Sequence, residues 1–177
     1  MTIRKIAKMG HPILRKIAQP IPIEQISSPK IQKLIDDMLE TVLDANGAGL
    51  AAPQVHESKR IVILELDEKI GFQVWINPII TSLTEDHMLT FEGCLSVPGL
   101  RGAVARPTKI SVQALDRNGK DISMVLEGFS AVIAQHECDH LDGVLYVDRV
   151  ETQTLAYMDE YRKYNKIMMD QLFLDEE

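Results

Sequence analysis

The stretch Gln135-His136-Glu137-Cys138-Asp139-His140 sets two histidines four residues apart with a glutamate directly after the first. No other part of the chain restricts its structure so strongly. On an α-helix, residues four apart stand one above the other on the same face, so both imidazoles can reach one metal ion. Glu137 can then reach a metal-bound water as general base, in a site where the metal lowers the pKa of that water. The preceding Phe129, Ala131, Val132, Ile133 and Ala134 form an almost wholly apolar run, which predicts a buried helix. Buried imidazoles and a buried carboxylate need partners, and a shared metal would satisfy all three. The competing reading is a helix with two surface histidines and an ordinary glutamate.

A catalytic site of this kind commonly takes three protein ligands and leaves one position open. Three placements of the third ligand compete. The metzincin pattern wants another histidine after His140; Gly143 is in place, but Tyr146 stands where that histidine should be. Glu160 is passably spaced for a carboxylate on a later helix, yet lies in a polar segment. Cys94 sits in Glu92-Gly93-Cys94-Leu95-Ser96-Val97-Pro98-Gly99, a loop-like stretch where a thiolate could approach a metal without crowding. A thiolate with two imidazoles makes a tetrahedral site with one open position, so Cys94 is the favoured ligand. Cys138 is about 200° around the helix from His136 and reads as a small buried residue.

A second glycine-rich block, Gly47-Ala48-Gly49-Leu50-Ala51-Ala52-Pro53-Gln54, follows a predicted helix. Ser28 and Pro29 make an N-cap and first-position pair. Ile31, Leu34, Ile35, Met38, Val42 and Leu43 keep the helical period, and Asn46-Gly47 stops it. Closely spaced glycines allow a ligand backbone to lie against this one. The block lacks the Gly-Lys-Ser/Thr of a phosphate loop. Gln54 reads equally as a surface amide or as a donor to an oxyanion.

Residues 60–66 and 72–76 are β-rich and predict a hairpin through a short polar connection. Ile110, Val112 and Ala114, then Ile122, Met124 and Leu126, alternate with polar residues around the turn Asp116-Arg117-Asn118-Gly119. Residues 152–172 read as a C-terminal helix with Leu155, Met158 and Tyr161 on one side, its tyrosines and methionines serving packing. The expectation is one α+β domain over residues 1–177: short antiparallel strands packed around a central metal-binding helix, with a C-terminal helix. A net charge of −7 argues against a general nucleic-acid surface. No apolar run is long enough for a membrane span. The start of the chain lacks the apolar core of a signal peptide, so a cytoplasmic location is expected. Two cysteines make no disulfide framework and read as thiols or ligands.

The two glycine-rich blocks and Gln135-His136-Glu137-Cys138-Asp139-His140-Leu141, in this order, resemble the signature motifs of peptide deformylases. The likeness runs from His11-Pro12-Ile13-Leu14-Arg15 to about Asp148. It implies hydrolytic removal of the formyl group from the formyl-methionine of nascent polypeptides, with release of formate. It implies one divalent metal per chain on Cys94, His136 and His140, Fe(II) first, with Ni, Co or Zn as substitutes. Metal-activated water would attack the formyl carbon, with Glu137 as general base and then acid. The Gln54 amide and the Leu95 backbone N–H would meet the oxyanion. Gly47, Ala48, Gly49 and Leu50 would pair with the peptide backbone, Val132 and Ile133 would wall the methionine pocket, and Arg101 would stand at the rim. Glu92 would orient the site through Arg106. Ala48 stands where the family often has a larger aliphatic residue, which opens one wall of the cleft. Some family members dock on the ribosome through a basic C-terminal helix; this chain ends Asp170-Gln171-Leu172-Phe173-Leu174-Asp175-Glu176-Glu177, so any transient ribosome contact would use another surface. Two other readings compete, a metalloprotease or amidase acting on a different acyl group and a non-catalytic metal- or peptide-binding relative.

Overall fold

Strand alternation in the middle of the chain resolves into two antiparallel sheets. The computed structural model describes residues 2–66 and 70–174. Five strands pair in the order β1 (Gly49–Ala51), β2 (Ile61–Glu65), β3 (Phe72–Ser82), β6 (Lys109–Leu115) and β7 (Asp121–Glu127). A smaller sheet pairs β4 (His87–Cys94), β5 (Val97–Pro107) and β8 (Ala156–Tyr157). The helices are α1 (Ile23–Ile26), α2 (Pro29–Asp44), α3 (Gly128–Leu141) and α4 (Met158–Leu174). The class is α+β, as expected. Both predicted hairpins form, β2 with β3 and β6 with β7; residues 67–69 of the first connection lie outside the described residues, as does the acidic end at 175–177.

Strand β2 shows why its sequence is apolar without a break. Ile61 and Ile63 pack with Leu34 and Met38 of α2 on one face. Val62 and Leu64 pack with Trp75 and with Ala131 and Ala134 of α3 on the other. A strand covered on both faces has no side left for polar residues. The Ser28 hydroxyl accepts from the Ile31 N–H at the start of α2, with Pro29 in the first helical position. Leu43, predicted on the buried stripe, is 60% exposed near the end of that helix.

Two other expectations change. The stretch around Cys94 is a hairpin, with Leu95 and Ser96 as the turn between β4 and β5. Its glycines suggest a loop, but Gly93 lies within β4 at a register shift between Glu92 and Cys94, and Arg101 packs over it: a Cβ there would lie 3.0 Å from Arg101 Nε. The C-terminal helix begins only at Met158, after a 3-10 turn at Thr152–Thr154 and strand β8, so Leu155 precedes it. Past α3, Gly143 has φ +75, and a Cβ would meet the Arg15 backbone at 2.8 Å. The chain therefore leaves α3 through a position that only glycine fills without strain.

Asp37 ties the N-terminal segment to α2. Its carboxylate accepts from the Thr2 N–H at 2.9 Å, Lys33 Nζ at 2.8 Å and Arg4 Nε at 3.3 Å. The Lys33 hydrogen bond, helped by Arg4 and opposed by burial, holds the carboxyl below its ordinary value. A depressed folded-state pKa stabilises the fold above the unfolded-state value and stops doing so as pH falls through the folded one. Asp37→Asn is accordingly expected to flatten the loss of stability on acidification. Urea unfolding followed from pH ~6 down to pH ~2 checks this.

Candidate metal centre and active site

Helix α3 carries His136 and His140 one turn apart, their ring centroids separated by 5.2 Å. The end of β4 brings Cys94 opposite them, with Sγ 3.2 Å from His140 Nε2. One ligand atom from each of the three lies within 4.8 Å of the others, and no other such group of His, Cys, Asp or Glu occurs among the described residues. Tyr146 is buried and stacks on His136, ring centroids 6.1 Å apart. Glu160 is on α4, paired with Lys163. Cys138 is buried on the far side of α3, and burial pushes its thiol far up.

The two imidazoles sit in different electrostatic surroundings. Burial and the neighbouring charge of His136 hold His140 well below its ordinary pKa, so its ring is neutral with a lone pair to offer. For His136 burial acts downward, but the hydrogen bonds with Cys94 and Glu92 outweigh it and raise the ring to about 10. Its Nδ1 donates to Glu92 Oε2 at 2.7 Å, and a bound metal would displace the proton from Nε2 and take that nitrogen as its ligand. Sγ of Cys94 is met by the Ser96 N–H at 3.4 Å and by Gln54 Nε2 at 3.5 Å. A thiolate and two imidazoles held this close suit a divalent transition metal.

Glu92 is itself anchored. Arg106 donates to it from Nε at 2.5 Å and from the second guanidinium nitrogen at 3.0 Å. Arg106 also reaches Asp139 Oδ2 at 2.9 Å, and Arg149 closes on the same carboxylate with two bonds of 2.8 Å. The expected route from Glu92 to the site through Arg106 is thus supplemented by a direct bond to His136. Asp139 and Ser96 were not singled out from the sequence. Asp139 carried a weak signal, an acid inside an otherwise buried metal-binding turn; Ser96 carried none.

Glu137 is 5% exposed, its Oε2 has no hydrogen-bond partner, and burial raises its carboxyl to about 7. Gly49 makes room for it: a Cβ on that residue would lie 2.5 Å from Glu137 Oε1. Gln54, in the 3-10 turn Ala52–Val55, is buried rather than on the surface. Its Oε1 accepts the Ala51 N–H at 2.8 Å, and its Nε2 lies 3.2 Å from Ser96 Oγ. The side-chain amide is held by its oxygen, with its donor end turned toward Cys94.

A cleft of about 500 Å³ opens over these groups. Gly47, Ala48, Gly49, Gln54, Cys94 and Leu95 line one part of it, and Arg101, Val132, Ile133, His136 and Glu137 another. Leu50 does not line it: the side chain is fully buried in the α2 core. Arg106 lies behind Glu92, outside the cleft. Phe129, predicted to be buried with the rest of its helix, is 62% exposed at the cleft edge. Strand β1 is the edge of its sheet, so one row of backbone groups beside the cleft is not used by a neighbouring strand.

Comparison with known proteins adds a family. Residues 3–156 match the family described as polypeptide deformylase. The chain is 40% identical to the peptide deformylase of Leptospira biflexa over 178 residues, covering 95% of this chain and 99% of that one. It is 48% identical to that of Pseudomonas aeruginosa over 153 residues, covering 86% and 89%. Among solved structures, the actinonin-bound class I type b peptide deformylase of Acinetobacter baumannii superposes with a TM-score of 0.80 at 40% identity, covering 85% of this chain and all of that one. The Met-Ala-Ser-bound form gives 0.78 at 38% identity, covering 84% and 99%.

Two substitutions probe this geometry. Gly49→Ala displaces the Glu137 carboxylate, and a misplacement of about 1 Å in a reacting group costs on the order of 10²-fold in rate; the expected result is such a fall in kcat with metal content retained. Glu92→Gln removes the charge behind His136 and is expected to weaken metal binding by about 10- to 100-fold in a chelator competition.

Proposed function

The chain belongs to the polypeptide deformylase family, an enzyme family, and we propose that it hydrolyses the formyl group from the formyl-methionine of nascent polypeptides, releasing formate. The observation that carries this reading is the unpartnered Oε2 of Glu137, on the same helix as His136 and His140, in a cleft that Cys94 also lines and an edge strand flanks. A relative solved with Met-Ala-Ser, a peptide of the kind deformylation would leave, supports the substrate class. The whole of residues 1–177 is read as one catalytic domain.

Cys94, His136 and His140 are the proposed ligands of one Fe(II) per chain, the ion the family likeness implies, with Ni, Co or Zn able to replace it. When bound, such an ion would supply Lewis acidity, lowering the pKa of water and polarising the formyl oxygen. The remaining work belongs to the side chains. Glu137 takes the proton of the attacking water, and a carboxyl held near 7 by burial suits both that step and the return of the proton to the leaving amine. Water oxygen joins the formyl carbon, the C–N bond breaks, and formate and a free amino terminus result. The Gln54 amide and the Leu95 N–H receive the charge that builds on the formyl oxygen. The free edge of β1, through residues 47–50, pairs with the peptide backbone in strand fashion. Val132 and Ile133 contact the methionine side chain, and Arg101 stands over the emerging peptide.

No helix among the described residues is long and apolar enough to cross a membrane, and the proposed place of action is the cytoplasm. Contact with the ribosome, where nascent chains emerge, would be transient and made by a surface other than the acidic C-terminal end. No specific nucleic-acid partner is proposed.

Formate release from formyl-Met-Ala-Ser by anaerobically prepared, Fe(II)-loaded protein tests the reading. Robust turnover is expected from the wild type and loss of it in Glu137→Ala with metal retained, while no formate from folded, loaded wild type would favour a non-catalytic peptide-binding relative. Gln54→Ala is expected to lower kcat by about 10²–10³, the usual effect of losing one oxyanion donor.

A further inference from the structure

The turn Leu95-Ser96 carries two groups that bear on the site. The Leu95 N–H is the proposed oxyanion donor, and the Ser96 N–H meets Cys94 Sγ at 3.4 Å. The turn joins β4 to β5 directly, with Cys94 and Val97 as register partners across it. A two-residue link closes a hairpin best as a type I′ or II′ turn, and both need a positive φ at the first central residue. Neither Leu95 nor Ser96 has a positive φ. The turn therefore lacks the conformation that matches the twist of its own strands, and bonds from outside hold it.

Those bonds come from the segment 7–9. The Met9 N–H donates to the Ser96 carbonyl at 2.7 Å, and Lys8 Nζ donates to the Leu95 carbonyl at 2.8 Å. The Ala7 N–H donates to the Gln54 carbonyl at 2.7 Å, and Ala7 itself is buried in the cluster of Leu14, Val97 and Tyr146. One short segment thus fastens both proposed oxyanion donors to the core. Lys8 is the exposed member of it that bonds through its side chain. Although Lys8 lines the cleft, its Nζ is committed to the turn. The Leu95 C=O and the Ser96 N–H belong to one peptide group, so an ammonium on the oxygen makes that N–H a stronger donor to the Cys94 sulfur.

Resting on the deformylase reading, we propose that Lys8 is a positioning residue for the reaction. Its ammonium pins the Leu95-Ser96 peptide group, which keeps the Leu95 N–H directed at the formyl oxygen and the Ser96 N–H on Cys94 Sγ.

Lys8→Met keeps the stem of the side chain and removes the ammonium. Amide exchange followed by NMR on the full-length, metal-free protein is expected to quicken about tenfold at Ser96, with the amides of β2 unchanged. On the Fe(II)-loaded protein with formyl-Met-Ala-Ser, kcat is expected to fall about three- to tenfold with KM unchanged. With Co(II) in place of iron, the weaker bond to sulfur is expected to move the sulfur-to-metal absorption band to longer wavelength. Lys8→Arg, which restores a charged donor, is expected to return all three readouts toward the wild type. Wild-type exchange at Ser96 in Lys8→Met would overturn the proposal. So would a raised KM with kcat kept, which would make Lys8 a substrate contact, or a general loss of melting temperature that Lys8→Arg does not repair. If the wild type releases no formate, the role in turnover falls with the deformylase reading, and the exchange rates still decide whether Lys8 holds the turn.

Discussion

A single buried carboxylate holds the centre of this molecule together. Glu92 lies inside the protein and would be costly there alone, since an unpaired charge in the interior is strongly disfavoured. It is tolerated because Arg106 binds both of its oxygens and His136 Nδ1 adds a third bond. That pairing links β4, β5 and α3, the elements that carry Cys94, Arg101 and the two histidines. The charge of Arg106 is shared in turn with Asp139, one helical turn C-terminal to the start of the motif, and Asp139 with Arg149. Removing one partner of such a group costs about 3–5 kcal/mol because another is left buried and unpaired. The site's geometry and the stability of the interior thus depend on the same few bonds.

The two sheets divide the remaining work. The five-stranded sheet is a rigid support packed between α2 and α3, and its edge strand β1 offers backbone to the cleft. The small sheet supplies the thiol from a hairpin end and the cleft's far wall. They meet at α3, where Glu137 presses so closely on Gly49 that no larger residue fits between them. A close approach of this kind makes Glu137, the proposed general base, a fixed group rather than a mobile one, which is what proton transfer at a defined position requires.

Much of this was legible in the sequence, for identifiable reasons. The helical spacing of His136 and His140, the N-cap at Ser28 and the turn at Asp116-Arg117-Asn118-Gly119 are local signals, and each appears where the spacing put it. Local signals fail where a distant partner decides. The glycines around Cys94 suggested a loop because nothing in the sequence announces that Arg101 will lie across Gly93. Gln54 looked as much like a surface amide as a donor, since its burial depends on the Ser96 hydroxyl and Cys94 thiol of a hairpin 40 residues away. Phe129 belongs to an apolar run but falls on the side of α3 that meets the cleft. The position of α4 was the least legible of all, being set by strand β8, two residues long.

The central claim is that Cys94, His136 and His140 together hold one metal ion. Its most direct measurement is cobalt substitution followed by near-ultraviolet and visible absorption, on the wild type and on Cys94→Ser. The account predicts one Co(II) per chain, with a sulfur-to-metal charge-transfer band that vanishes in Cys94→Ser along with most of the affinity. Tight binding without that band, or a band that survives the substitution, would contradict it and place the metal elsewhere.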